Sequence, residues 1–329
     1  MRRKHLVPAV LAALLLGAAL LSLGCGSARL TLSALKAGLL GRTGYETERV
    51  ILLSLRLPRM LAGLIAGVGL SLSGVILQSV MGNPLASPNI IGVNAGAGLA
   101  TVLCLSLLPK AIRLLPFAAF LGAFLTALLI LGLARSAGRS RSTVVLAGVA
   151  CTTVFQAMIS FLAALDSDVL SSYSAFSIGG FAGVQMDRLV LPAILVALCL
   201  IAALCLSGRI EALTLGDSMA ASLGVRVGPM RAACLMIASM SAAAVVSYAG
   251  LLGFVGLVVP HIARKLVGDG LREQLLTAPL AGAVLVMLSD LAGRTLFSPS
   301  EISVGIVMAF IGAPFFFILL LRGREHPDA

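Results

Sequence analysis

Long apolar runs broken by short polar intervals occupy most of this chain. A helix needs about 20 apolar residues to cross hydrocarbon. The pattern predicts about ten such runs, near 6–26, 61–81, 91–108, 114–134, 144–164, 189–206, 231–249, 251–267, 275–292 and 303–321. The eighth is short and rich in Gly and Pro, as a broken or tilted helix would be. Helices are the expected element, because a backbone group left unpaired in hydrocarbon finds no water to bond. The expected fold class is an all-α polytopic membrane protein, a single transmembrane domain over residues 1–329. Two intervals exceed connector length. One, 27–60, contains a stretch from Thr31 to Leu40 suited to a short amphipathic helix; the other, 207–230, holds two helix-like stretches separated by Gly216 and Gly224. A loop this long in a tightly connected bundle points to function.

Composition agrees with the pattern. Of 329 residues, 59% are hydrophobic and 11% charged, against about 25% charged in an average soluble domain. The mean hydropathy of +1.09 excludes disordered tails and secreted disulfide scaffolds. The net charge of +11 is not gathered into a Lys/Arg face that would suit nucleic acid, and belongs instead to loops. With the N-terminus inside, 14 of the 24 Lys and Arg fall on the inner face and 10 on the outer, which predicts cytoplasmic termini. The opening Met1-Arg2-Arg3-Lys4-His5 resembles a secretory signal, but no clear small-x-small cleavage site follows, so a retained first helix is expected. The six cysteines form no C-x-x-C, the three histidines no H-x-x-x-H, and no metal site is expected.

The most specific stretch starts at Arg56-Leu57-Pro58-Arg59. It continues through Gly74-Val75-Ile76-Leu77-Gln78, Asn83-Pro84-Leu85-Ala86-Ser87-Pro88 and Ile91-Gly92-Val93-Asn94-Ala95-Gly96-Ala97. Gly63, Gly67, Ser71 and Gly74 form a small-residue stripe that permits close helix contact. Further blocks are Ala212-Leu213-Thr214-Leu215-Gly216-Asp217, Gly253 to Arg264, Asp290 to Arg294, Glu301, Gly305 and Gly312-Ala313-Pro314-Phe315. In these blocks, and in their order, the chain resembles the FecCD-like permeases, membrane subunits of type II ABC importers for iron-siderophore complexes, haem and vitamin B12.

Three regions then carry candidate roles. Spacing alone leaves Arg56, Arg59 and Arg294 open between docking and snorkelling at helix ends, and Asp290, four residues before Arg294, suits an ion pair within the helix. The resemblance implies that these arginines receive acidic residues of an extracytoplasmic substrate-binding protein, for which a planar, always charged fork is well matched. In 207–230, Gly216-Asp217 reads as a turn followed by an N-cap. The resemblance implies coupling to a separate ATPase through Leu213, Leu215, Gly216, Asp217, Ala221, Leu223 and Gly224, although the family carries a polar amide where Glu211 stands. On the fifth run, Gly148, Thr152, Gln156 and Ser160 recur every four residues, a stripe fit for helix packing or for a water-filled route. The resemblance implies a translocation path along Thr152, Gln156 and Ser160. It also implies an inner gate at Asn83, Leu85, Ser142 and Thr143, with Arg141 an alternative for the first residue of the second pair. His261, alone beside Pro260, reads as structural.

No G-x-x-x-x-G-K-[ST] occurs, and none of Lys4, Lys36, Lys110 and Lys265 follows a glycine. ATP and Mg are therefore expected on a partner, with no cofactor on this chain and no catalytic residues. The reading is a permease subunit in the cytoplasmic membrane, paired with a second copy, two ATPase subunits and a binding protein. The cargo is expected to be an iron-siderophore, with haem or cobalamin the alternative. An ion-coupled secondary transporter is the more distant alternative, disfavoured because Asp166, Asp168 and Asp187 fall in an outer connection and Asp290 near a helix end, leaving no buried carboxylate to carry a proton.

Overall fold

The computed structural model describes residues 2–26, 44–89, 92–136 and 141–322, and these contain no strand. Helices follow one another as α1 (Arg2–Gly24), α2 (Glu46–Met81), α3 (Val93–Leu107), α4 (Leu115–Ser136), α5 (Arg141–Leu165), α6 (Ser167–Ile178) and α7 (Asp187–Cys205). Then come α8 (Ser207–Thr214), α9 (Asp217–Ser222), α10 (Val227–Ala249), α11 (Val255–Val267), α12 (Leu271–Thr295) and α13 (Val304–Arg322). Each predicted apolar run contains a helix, although residues 251–254 of the eighth run are not helical and residue 91 lies outside the described residues. Among the described residues, length and hydropathy do not reach the expected count of about ten spans. Length and hydropathy qualify seven of the described helices as membrane spans, namely α1, α2, α4, α5, α7, α10 and α12. The apolar lengths of α3 and α13 are shorter, and α11 has 13 residues.

Two local features differ from the sequence reading. The helix expected from residue 61 starts at Glu46 and passes through a π-helical stretch, Ile51–Arg56. Pro58 has no N–H for the carbonyl four residues back, and the widened turns just before it accommodate that mismatch. The amphipathic segment Thr31 to Leu40 lies outside the described residues. The second feature is α6, within a stretch read as a connection. It is too polar and short to register as a span, and its start is fixed by Asp166, whose carboxylate accepts the N–H groups of Asp168 at 2.8 Å and Val169 at 3.4 Å.

At the centre stands α2, 83% buried along its most apolar stretch, where α1 and α5 are 17% buried along theirs. It packs against α12, α10, α11 and α7. The small-residue stripe faces those neighbours. A Cβ on Gly67 would collide with the Gly282 carbonyl of α12, and one on Gly74 with the Gly256 carbonyl of α11. The α3–α4 crossing repeats this at Gly96 and Gly122. Lipid offers no hydrophobic drive between helices, so backbone approach and polar links must hold them. The Ser241 hydroxyl donates to the Gly69 carbonyl at 2.9 Å, and the Tyr248 hydroxyl to that of Ala62 at 2.9 Å. Within α11, Pro260 cannot serve the Gly256 carbonyl. The Gln78 amide of α2 donates there at 3.4 Å and to the Leu257 carbonyl at 3.3 Å.

A methyl group at Gly74 must push α2 off α11. Gly74→Ala is expected to destabilise the detergent-solubilised protein by about 1–3 kcal/mol. Gly17→Ala, where a Cβ meets nothing within 4 Å, should leave the thermal unfolding midpoint in place.

Candidate functional site

One end of the bundle gathers all three sequence-predicted docking arginines. The last carbonyls of α1 have no partner within their own helix, and α1 carries no basic residue in its last turn. Arginines from two other helices serve that end. From α12, Arg294 donates to the Ser22 carbonyl at 2.6 Å and to its hydroxyl at 2.8 Å. From α2, Arg56 donates to the carbonyls of Leu23 at 2.6 Å and Gly24 at 2.8 Å. Both cations thus meet the negative end of the α1 dipole. Close passage of the chain at Gly26 is required, since a Cβ there would stand 3.2 Å from Arg56.

Arg59 turns the other way. Its Nε donates to both oxygens of Asp290 at 3.1 and 3.0 Å, its Nη2 lies 3.0 Å from Asp290 Oδ1, and its Nη1 donates to Glu301 at 2.6 Å. Asp290 also lies 3.6 Å from Arg294, so the ion pair expected within α12 exists but is secondary to Arg59. Asp290 is only 3% exposed, which corrects the expectation of no buried carboxylate. Neighbouring helices cover the end of α12, and the charge is compensated by two guanidinium groups. Arg56 and Arg294 are buried, at 5% and 4% exposure. Glu301 is the most open member of the cluster, which borders a cavity of about 620 Å³ reaching Phe181 and Gln185. Neither acid was foreseen as a partner of Arg59, because both lie more than 230 residues away in the chain.

At the opposite end, α8 and α9 form an elbow. Ile210, Leu213 and Ala220 are buried against the bundle, whereas Leu215, Met219 and Leu223 point outward at 63%, 52% and 60% exposure. The candidate coupling residues therefore divide. Leu213 anchors the elbow; Leu215, Ala221 and Leu223 form its exposed side, with Gly216 and Gly224 as its left-handed joints at φ +100° and +80°. Met219 was missed, although it lies within the short helix-like stretch after Gly216, between Leu215 and Leu223, where a large apolar residue is conspicuous. Gly216 is the N-cap and Asp217 the first helical residue, a correction of the predicted cap. The Asp217 carboxylate is instead drawn to Arg231, which donates to it at 2.6 Å.

Asn83 and Leu85 occupy the turn after α2, where the Asn83 side-chain oxygen accepts the Leu85 N–H at 2.9 Å. Beside them, a cavity of about 290 Å³ is lined by Gln78, Asn83, Glu211, Arg264 and Gln274. Ser142 and Thr143 begin α5; the Ser142 side chain lies outside the described residues. Along α5, Gly148 is buried, Thr152 half-buried, and Gln156 and Ser160 exposed. The Thr152 hydroxyl lies near Gly92, and Gln156 shares a hydrogen bond with Tyr173 of α6. The stripe thus runs from a packed end to an uncovered side. His261 stacks edge-on against Phe315 with ring centroids 5.5 Å apart.

The FecCD transport family matches residues 13–322. This chain belongs to that family. It is similar to the Fe(3+)-citrate import system permease protein YfmE of Bacillus subtilis (strain 168), 32% identical with 97% of this chain and 96% of the relative covered. It is also similar to the achromobactin transport system permease protein CbrC of Dickeya dadantii (strain 3937), 38% identical over 85% of this chain and 81% of the relative. Other relatives are permeases for haemin and vitamin B12. A solved structure described as a metal-chelate type ABC transporter in an inward-facing conformation superposes with a TM-score of 0.86 at 31% identity, covering 96% of this chain and 99% of that one.

FecCD permeases are transport components of ABC systems, not enzymes. The blocks that carried the resemblance meet in space. Gly74 and Gln78 of one lie on Gly256 and Leu257 of another, and a Cβ on Gly312 would strike the Phe254 ring. In this FecCD permease the arginine cluster also fixes the end of α1. Arg294→Met removes a charged donor worth about 1.5–3 kcal/mol. Hydrogen exchange should then speed up at least about tenfold at the Cys25 amide, bonded to the Leu21 carbonyl at 2.8 Å, while Arg49→Ala leaves that rate unchanged.

Proposed function

We propose that this permease forms a homodimer of ten-span subunits that passes a chelated iron compound, an iron-siderophore, into the cytoplasm. Hydrolysis of ATP on two separate ATPase subunits drives it. The observation that carries the reading is the apolar row Leu215, Met219 and Leu223, exposed on a short elbow between two membrane spans. Three large apolar side chains on an interhelical loop need cover by protein, and an elbow whose Ile210, Leu213 and Ala220 are buried against the bundle is placed to transmit a push. Ala221 lies on the same exposed side, and Leu213, Gly216, Asp217 and Gly224 hold that elbow in shape. At the other end, Arg59 receives acidic groups of an extracytoplasmic binding protein, with charge setting encounter and orientation, while Arg56 and Arg294, buried against the end of α1, hold that positive cluster in place. The cargo passes along Thr152, Gln156 and Ser160, where the second copy covers the open side of α5, and leaves past Asn83, Leu85, Ser142 and Thr143. Support for the cargo class comes from relatives named for iron citrate and achromobactin. Selection itself is assigned to the binding protein.

Orientation is tested with the two exposed cysteines, Cys25 at the arginine end and Cys205 at the elbow end. A membrane-impermeant maleimide added to intact cells should label Cys25 and spare Cys205; the reverse pattern would invert the topology and sink the docking assignment.

Function is tested in proteoliposomes with the cognate ATPase and binding protein. Iron-siderophore uptake should require ATP. It should fall at least about tenfold in Arg59→Glu, with partial rescue by an acid-to-base change on the binding protein, since close charge pairs couple by about 1.5 kcal/mol or more. Leu215→Ser with Leu223→Ser should leave ATP hydrolysis by the free ATPase intact and abolish uptake. Uptake driven by an ion gradient without the ATPase would overturn the proposal.

A further inference from the structure

A second cleft at the arginine end carries chemistry that transport of a chelate does not use. It measures about 510 Å³, lies between the first turns of α4 and α7, and meets the arginine-cluster cavity at Gln185, which lines both. Its walls are apolar: Phe117 and Phe120 from α4, Leu191 and Leu195 from α7. Its rim is cationic. Arg113, in the turn Ile112–Leu114 leading into α4, and Arg188, in the first turn of α7, both line it and are exposed. Among the described residues neither arginine makes an ion pair. One carboxylate, Asp187, shares the rim. It is the first residue of α7, where a negative charge is matched to its own helix N-terminus. The first turn of α4 has no acid to offset its dipole.

Both helices are membrane spans, so the rim lies at headgroup level and the walls run down beside the acyl chains. Two unpaired guanidinium groups above an apolar slot complement an amphiphile with a phosphate head and hydrocarbon tails. We propose that this cleft is a binding site for one anionic phospholipid, its phosphate between Arg113 and Arg188 and an acyl chain against Phe117, Phe120, Leu191 and Leu195. Its junction with the docking cavity at Gln185 places that lipid beside the surface assigned to the binding protein.

The test uses the full transporter, delipidated and reconstituted in vesicles of equal phosphatidylglycerol and phosphatidylcholine, with retained lipid counted by mass spectrometry after gentle extraction. The unaltered protein should retain phosphatidylglycerol preferentially. Arg113→Gln with Arg188→Gln should reduce that preference about thirtyfold, from about 1 kcal/mol per basic residue at a membrane surface. Arg113→Lys with Arg188→Lys should keep most of it, and Arg49→Gln, an exposed arginine of the same face outside the cleft, should keep all of it. Equal retention of the two lipids by the unaltered protein, or the same preference after the double Gln change, would overturn the site. Displacement by millimolar soluble glycerol phosphate would assign the arginines to a water-borne ligand and overturn the lipid assignment.

Discussion

Bare backbone against bare backbone is the contact on which this bundle depends. Along α2, Gly67 and Gly74 allow α12 and α11 to approach until any Cβ would strike a carbonyl. In hydrocarbon, apolar side chains are as content among lipid tails as against each other, so proximity has to come from packing and polar links. Gln78 then reaches the Gly256 carbonyl that Pro260 cannot serve, and Ser241 and Tyr248 add bonds from α10. The central helix is buried because its neighbours reach its main chain, not because its side chains are more apolar than theirs.

Charge is confined by the same logic. The arginine end concentrates three guanidinium groups and two carboxylates where helices finish and their last carbonyls want donors. Arg56 and Arg294 meet those carbonyls directly, and Asp290 is kept tolerable in its buried place by Arg59 and Arg294. One set of side chains therefore closes the helix ends and presents a positive surface, with the more open Arg59–Glu301 pair facing the cavity.

Much of this was legible in the chain. Apolar runs located the helices because lipid imposes one rule on every span, and the Gly63–Gly74 stripe correctly marked the face of close approach. What escaped was set by distant partners or by length. α6 has neither the hydropathy nor the size of a span, and only its Asp166 cap marked it. The extension of α2 to Glu46 needed the π-helical turns that no periodicity announces. Asp217 looked like a cap until Arg231, 14 residues on, claimed its carboxylate. The partners of Arg59, and the Ser22 partner of Arg294, lie more than 230 residues away, beyond any local pattern; only the Asp290–Arg294 pair was within reach of one. Of the candidate site, residue identities were readable and the division of labour among them was not: Leu213 inward, Leu215 and Leu223 outward, Arg56 and Arg294 committed to a helix end.

The clasp on α1 also orders events during synthesis. Ser22 emerges early, but its bond partner Arg294 follows 272 residues later. At ribosomal speeds of roughly 5–20 residues per second, Arg56 follows within seconds to serve the Leu23 and Gly24 carbonyls, but the Ser22 carbonyl waits roughly 15–50 seconds for its own donor. This face is thus sealed nearly last, and a ribosome stalled before α12 would leave behind a nascent chain whose opening helix is tied down by Arg56 alone, with the other half of its clasp missing.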